Sequence, residues 1–343
     1  MRVKHFLFLT MMAWVLSACL SSSDCFRKEV FCAALVTDTL GLNDHGINQD
    51  AWAGLQEAKA SGLVDIAEII ESVDPRDYEK NIIYFAERGY DVIVTAGAGL
   101  DDQTFRVSSI FPYDPTQERP GSVFVGLNQA YKESRPNLIA ITFPEDQMGF
   151  AAGLLAARLS KTGIVAGICE TSGIDAMWRY CEGFRAGAEY LPDVKVRVLL
   201  TYREGGDSEK LFIDDTWGYE TAHDQIFKGA DVIFAAGGAT GQGALRAATD
   251  FEVQAIGTER DQGAALGVSG RGVVTSFYGQ AGFEVQEVMR LLKAGNLPAS
   301  RMGQIQLVPL NPAFPPEQTI EIETLINMLF NGEISTNIRP EAR

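Results

Sequence analysis

The residues able to do chemistry crowd into a few short stretches, and the densest runs from Thr37 to Asn48. There Asp38, Asn43, Asp44, His45 and Asn48 fall between an apolar run, Phe31 to Val36, and a segment where Trp52, Leu55 and Ala58 recur at helical spacing. A strand, a polar loop and a helix in that order place the loop beyond the carboxyl end of the strand, where ligands of open α/β sheets bind. An ordinary connection with a helix cap is the plainer alternative. The loop is longer than the roughly six residues usual for such connections, which favours a working role.

A second stretch, Gly237-Gly238-Ala239-Thr240-Gly241-Gln242-Gly243, follows the apolar run Asp231 to Ala236 and precedes a helical pattern. Glu259 and Asp261 lie about twenty residues on, which invites a dinucleotide-binding reading. The spacing rejects it: counted from Gly241 and Gly243, the third glycine position holds Arg246. The stretch reads better as a glycine loop that lets backbone approach a small ligand near a helix N-terminus, or as a tight turn.

Catalytic arrangements are thin. Beyond His5 the chain has only His45 and His223, both beside acids, and no Ser-His-Asp pattern can be built on them. Glu145 and Asp146 are adjacent carboxylates better suited to holding polar ligand atoms than to dividing acid and base roles. The expectation is a binding protein rather than an enzyme, with no cofactor and no metal site.

These stretches sit in a regular alternation of elements. Strands are expected at Val64 to Ile70, Tyr90 to Ala96, Ser122 to Leu127 and Asn137 to Phe143, with helices over Tyr78 to Arg88 and Asp101 to Ser109. Pro144 to Gln147 interrupts the pattern, and a small-residue helix, Met148 to Leu159, follows. The alternation restarts with strands at Ile164 to Cys169, Lys195 to Tyr202, Ala230 to Ala235 and Gln254 to Gly257. Helices are expected between them at Ala176 to Tyr190, Gly218 to Gly229 and Gly241 to Thr249. Strand–helix alternation implies parallel sheets with right-handed crossovers, and two such runs imply two lobes of similar build. The last part, a strand Gly272 to Phe277, a helix Gly282 to Lys293 and a strand Gly303 to Pro309, is too short for a third domain. It reads as returning to the first lobe. The expected division is residues 29–142 with about 280–302 in one lobe and 143–271 with about 310–343 in the other. Hinges are expected near 142–145, 272–279 and 303–309.

Arg2 and Lys4 precede an apolar stretch, Phe6 to Leu16, ending in Leu16-Ser17-Ala18-Cys19, the pattern of an export signal over residues 1–18. Cys19 resembles the lipidated cysteine of a bacterial lipobox, followed by a tether over 19–28 that includes Ser21 to Ser23. The expected location is outside the cytoplasm, held to the cell membrane by acyl chains on Cys19. A formal net charge of −16 argues against nucleic acid or anionic lipid as the main partner. Four further cysteines, Cys25, Cys32, Cys169 and Cys181, fit disulfides in an exported protein. Three pairings can be drawn, and the local one, Cys25 with Cys32 and Cys169 with Cys181, is preferred.

Together the motifs resemble the basic membrane protein family of ABC-importer substrate-binding lipoproteins, similar to purine nucleoside receptors. The residues that carry the resemblance are Leu35-Val-Thr-Asp38, Asn43-Asp44, Asn48-Gln49 with Trp52 and Gly54, Phe143-x-Glu145-Asp146-Gln147, Gly183-Phe184, the Gly237 to Gly243 loop, Ile256-Gly257 with Asp261-Gln262, and Thr275-Ser276. The match spans roughly residues 30 to 310. It implies a type I periplasmic-binding-protein fold, two Rossmann-like α/β lobes joined by a multi-strand hinge, closing on a nucleoside for delivery to permease subunits. Carried over residue by residue, Asp38, Asn43, Asp44 and Asn48 of the first loop, and Glu145 or Asp146, would contact the ligand. Gly238 would approach it, with Thr240 in the same loop, and Asp261 would hold ribose hydroxyls. Two positions depart: Ile47 stands where the family has a stacking aromatic, and Gly279 where it has a lysine. Trp178, Phe277 or Tyr278 would supply a replacement face. The rival readings are a ligand sensor for a membrane receptor and an extracellular enzyme acting on nucleosides.

Overall fold

The structure is a computed structural model that describes residues 22–117, 120–205, 210–310 and 316–338, so the leader and Cys19 lie outside it. Among the described residues, twelve strands form two six-stranded sheets. The first holds β1 (Cys32–Thr37), β2 (Ile66–Glu71), β3 (Val92–Ala96), β4 (Val123–Leu127), β5 (Leu138–Thr142) and β11 (Arg301–Met302). Its order is β11-β5-β4-β3-β1-β2, and every neighbouring pair is parallel. The second holds β6 (Ile164–Cys169), β7 (Arg197–Tyr202), β8 (Val232–Ala236), β9 (Gln254–Thr258), β10 (Val273–Gly279) and β12 (Ile305–Leu307). It runs β12-β10-β9-β8-β6-β7, parallel except for β12, which lies antiparallel on β10.

The sequence dictates this layering. Strands β1, β3, β4 and β8 are buried along their whole length, as near-continuous apolar strands must be when helices cover both faces. Between them run α1 (Ile47–Ala60), α2 (Tyr78–Ala86) and α3 (Asp101–Ile110) in the first lobe. The second lobe carries α4 (Glu145–Leu159), α5 (Asp175–Ala188), α6 (Asp215–Phe227), α7 (Gly238–Asp250) and the short α8 (Gln262–Leu266). Helix α9 (Ala281–Lys293) returns to pack on α1, and α10 (Pro316–Phe330) packs on α4. In α1 the buried positions Ala51, Leu55 and Ala58 fall on one face, as helical periodicity requires. The α4–α5 pair is closer than ordinary helices allow. Gly149 and Gly153 of α4 lie against the Tyr180 and Phe184 carbonyls, and Gly183 and Gly187 of α5 against those of Asp146 and Phe150.

The chain passes between the lobes three times: after β5, after β10 and between β11 and β12. All three passes meet at Phe143, whose buried ring fills the space a side chain would need at Gly279 and at Gly303. They are also tied to one another, Gly303 N donating to Thr142 O at 2.8 Å and Gln280 N to Gln304 O at 2.8 Å. Strand β10 belongs to the second sheet throughout, so the second pass begins at its end, Gly279, rather than along 272–279. The single strand expected at Gly303 to Pro309 is instead two short strands in different sheets, because the chain changes lobes in its middle. The expected interruption at Pro144 to Gln147 is a helix start. Pro144 precedes the first turn of α4, where a missing N–H costs nothing, and Glu145 and Asp146 meet the positive end of the helix dipole.

Disulfides join Cys25 to Cys32 and Cys169 to Cys181. The first pins the N-terminal turn to β1 and the second ties the end of β6 to α5. Among the described residues no helix is long and apolar enough to cross a membrane.

Candidate functional site

A cavity of about 1020 Å³ opens between the lobes, walled by the loops that follow the carboxyl ends of strands in both sheets. The first lobe supplies Asp38, Asp44 and Ile47 from the loop after β1, Tyr78 at the start of α2, and Asn128 after β4. The second supplies Glu145, Ile174, Asp175, Tyr180, Phe212 and Glu259, while Phe143 and Gly279 close the hinge side.

Asp38 leaves β1 and turns its carboxylate toward α1. Its Oδ1 accepts from Asn48 Nδ2 at 2.8 Å and from Leu40 N at 3.1 Å. Burial outweighs these bonds and lifts its carboxyl to about 6, with the nearby Asp44 adding to the rise. Asp44 caps the start of α1: Oδ2 accepts from Asn48 N at 2.8 Å, and Oδ1 from Gly46 N at 3.0 Å and Gln49 N at 3.2 Å. Burial raises its carboxyl too, against those backbone bonds. Asn48 is wholly buried and serves Asp38 with its amide nitrogen, while its Oδ1 has no partner. Asn43 sits in a one-turn helix, Gly41–Asn43, exposed and away from the cavity wall.

At the hinge, Arg179 of α5 donates to Glu145 Oε2 at 2.8 Å and also to Asp146 Oδ1. Only Glu145 of that acidic pair faces the cavity. Its carboxyl is pushed up to about 7 by burial, partly offset by Arg179. Asp146 points the other way and accepts from Thr336 Oγ1 at 2.7 Å, fastening the C-terminal segment to α4.

The glycine loop differs from the expectation. Gly238 opens α7 directly, and the N–H groups at that end are already taken within the chain. Gly237 N and Gly238 N donate to Glu259 Oε2 at 3.0 and 2.8 Å, and Ala239 N donates to Phe212 O at 2.8 Å. Gly238 has φ of +53°, and an added Cβ would lie 2.9 Å from the carbonyl oxygens of both Asp44 and Phe212, so glycine is required there. Thr240 is buried and its Oγ1 accepts from Asp214 N at 3.0 Å, a packing role at the loop before α6.

Glu259, at the end of β9, takes the place in the cavity wall that the resemblance implied for Asp261. It adopts φ of +69°, a strained backbone for a non-glycine residue, which turns the chain sharply at the cavity wall. Burial raises its carboxyl to about 7, opposed by the Gly238 and Gly237 bonds. Asp261 instead caps α8, accepting from Ala264 N at 3.0 Å, and borders a separate recess of about 220 Å³ beside Val273 to Ser276. Of the aromatic candidates, Phe277 is fully buried core, and Trp178 and Tyr278 are half-buried outside the cavity wall. The rings that do line it are Tyr78, Phe143, Tyr180 and Phe212. Phe143 fills the space at Gly279, where the resemblance implied a lysine.

The two lobes touch across the mouth of the cleft, where the Arg260 guanidinium donates to Gln49 Oε1.

Residues 31–300 match the family model described as ABC transporter substrate-binding protein PnrA-like. The chain is 29% identical over 311 residues to a protein of Listeria monocytogenes named CD4+ T-cell-stimulating antigen, covering 83% of this chain and 81% of that one. It is 27% identical over 248 residues to the ABC transporter nucleoside-binding protein BmpA of Lactococcus lactis, covering 67% and 64%. In fold it is similar to an ABC transporter solute-binding protein from Aeropyrum pernix, with a TM-score of 0.72 at 19% identity over 91% of this chain and 94% of that one. With two parallel lobes, a three-pass hinge and a cleft at the strand ends, this chain belongs to the PnrA-like family of ABC transporter substrate-binding proteins.

Proposed function

We propose that the chain captures a nucleoside-like ligand in the inter-lobe cavity and presents it, lobes closed, to the permease of an ABC importer. The observation that carries this reading is the cavity itself. Its volume of about 1020 Å³ suits a small-molecule site, and both lobes contribute polar side chains to it. Asp38, Asp44, Glu145 and Glu259 would bond the ligand's hydroxyl and amino groups, with Tyr78, Tyr180 and Phe212 offering apolar faces. Closure would remove the ligand from water and build the surface a permease reads. Acylation of Cys19 would keep the domain at the membrane where that permease lies.

The test is a thermal-shift screen of residues 20–343 with purine and pyrimidine nucleosides, free bases and pentoses. A ligand at about a hundred times its Kd adds about 2.7 kcal/mol of stability, a readily measured rise in Tm. Stabilisation by nucleosides that is lost in Asp38→Ala supports the reading. A response to pentoses alone would move the ligand class to sugars, and turnover of any nucleoside would replace capture with catalysis.

A further inference from the structure

We infer that the ligand of this cavity presents a positively charged, hydrogen-donating group, an amine or amidinium, and that the cavity turns away phosphorylated relatives. This rests on the reading of the inter-lobe cavity as the ligand site and concerns the charge of what it holds.

Among the described residues, the side chains that wall the cavity include six carboxylic acids, Asp38, Asp44, Asp74, Glu145, Asp175 and Glu259, and no lysine, arginine or histidine. Three of the six are offset or dilute. Glu145 pairs with Arg179, Asp74 with Arg76 at the surface, and Asp175 is solvent-exposed. Asp38, Asp44 and Glu259 have no ion pair among the described residues, and Asp44 lies close enough to each of the others to push their protonation upward. They come from both lobes, so the cleft brings toward one volume three carboxyl groups held by hydrogen bonds but by no ion pair among the described residues, with His45 partly offsetting Asp44. Like charges gathered in a poorly solvated site repel, and a cation placed among them removes that cost. An independent observation points the same way. Asn48 Oδ1, buried behind the wall and one hydrogen bond from Asp38, is an acceptor with no donor among the described residues.

The wall also offers an anion no basic side chain among the described residues. The N-terminus of α7, behind Glu259 of the wall, already holds an anion of the chain's own, the Glu259 carboxylate. Its next N–H is closed by the Phe212 carbonyl. At the hinge, Phe143 blocks any side chain at Gly279. A phosphate entering here would meet six carboxylic acids and no basic side chain among the described residues of the wall.

The test is a charge series on one scaffold: adenosine, its 5′-amino-5′-deoxy analogue and its 5′-monophosphate, with agmatine and spermidine as cations lacking a nucleoside. Calorimetry on the wild-type protein at about neutral pH and low salt gives each Kd. The expected order is amino analogue tighter than adenosine by about tenfold, and monophosphate without measurable binding. Glu259→Gln should shrink the ratio of amino-analogue to adenosine affinity toward one, whatever it does to the affinity for adenosine itself. If agmatine or spermidine binds and no nucleoside does, the nucleoside reading fails and the inference stands. If adenosine binds but the series is flat, or the monophosphate binds as well as adenosine, the nucleoside reading stands and the inference is overturned. Silence from every probe overturns it too.

Discussion

Arg260 and Gln49 are the residues that fasten one lip of the cleft to the other. Arg260 follows β9 in the second lobe, Gln49 lies in the first turn of α1 in the first, and the guanidinium donates to the amide oxygen across the gap. Such a bond contributes about 1 kcal/mol net, too little to hold the lobes alone but enough to shift a balanced equilibrium severalfold. Arg260→Ala should leave the unfolding midpoint nearly unchanged, enlarge the radius of gyration of the ligand-free protein in solution scattering, and speed ligand release severalfold. Unaltered scattering and release would remove the latch role.

The closeness of α4 and α5 is a packing prediction. A methyl group at Gly149 or Gly187 would overlap the carbonyl of the facing helix. Gly187→Ala should therefore cost about 1–3 kcal/mol, as overpacked cores do. Urea unfolding gives the number, and a loss within experimental error would mean the helices can slide apart freely. Gly62, which has nothing within reach of an added Cβ, is no substitute control, since its φ of +73° strains any side chain there. Ser61→Ala at the neighbouring exposed position serves instead, with an expected change near zero.

Arg179 sits between two carboxylates that are both nearly buried. Arg179→Met would strand both charges and should destabilise the protein by about 3–5 kcal/mol. Adding Glu145→Gln and Asp146→Asn to that variant should recover a substantial part, because the cost lies in the unpaired charge rather than in lost packing. Chemical unfolding of the single and triple variants decides it: equal losses would point to packing.

Stability should fall as pH rises from about 5 to about 7. Burial holds Glu145 and Glu259 up to about 7 from an ordinary 4.5, and Asp38 up to about 6 from 3.8. Across that window the folded protein keeps protons that the unfolded chain has released, so the slope of stability against pH is negative and flattens above 7. Each group contributes on the order of 1 kcal/mol. Ligand-free thermal unfolding at several pH values, repeated on Glu259→Gln, measures it. A wild-type curve that climbs between pH 5 and 7 contradicts the assignment, and the variant should show a shallower fall.

Much of the fold was legible because parallel sheets write themselves as apolar runs. Ile164 to Cys169 was readable end to end, since the run is bounded by Gly163 and Glu170 and buried on both faces. What failed depended on partners distant in sequence. Nothing local to Gly303 says that Met302 pairs with β5 while Ile305 pairs with β10. Helix α10 was not foreseen, its start obscured by the prolines at 309, 312, 315 and 316. In the cavity wall, Asp38, Asp44 and Glu145 stand just after strands, where the sequence pattern points. Glu259 was passed over for Asp261, two residues on. Which of the two faces the cavity is set by the left-handed turn at Glu259, and that conformation leaves no mark in residue type.

Phe143 has a last consequence. A single flexible connection would let two bodies rotate about any axis, whereas three chain passes packed on one ring would restrict them to far fewer directions. On the capture reading, a bound molecule would then have few relative motions of the lobes to arrest, and little of its binding free energy would go into ordering the rest of the protein. A permease reading the outer surface would then meet something close to a binary signal, ajar or shut, instead of a continuum of shapes. Substituting Phe143 would blur that signal before it weakened the pocket.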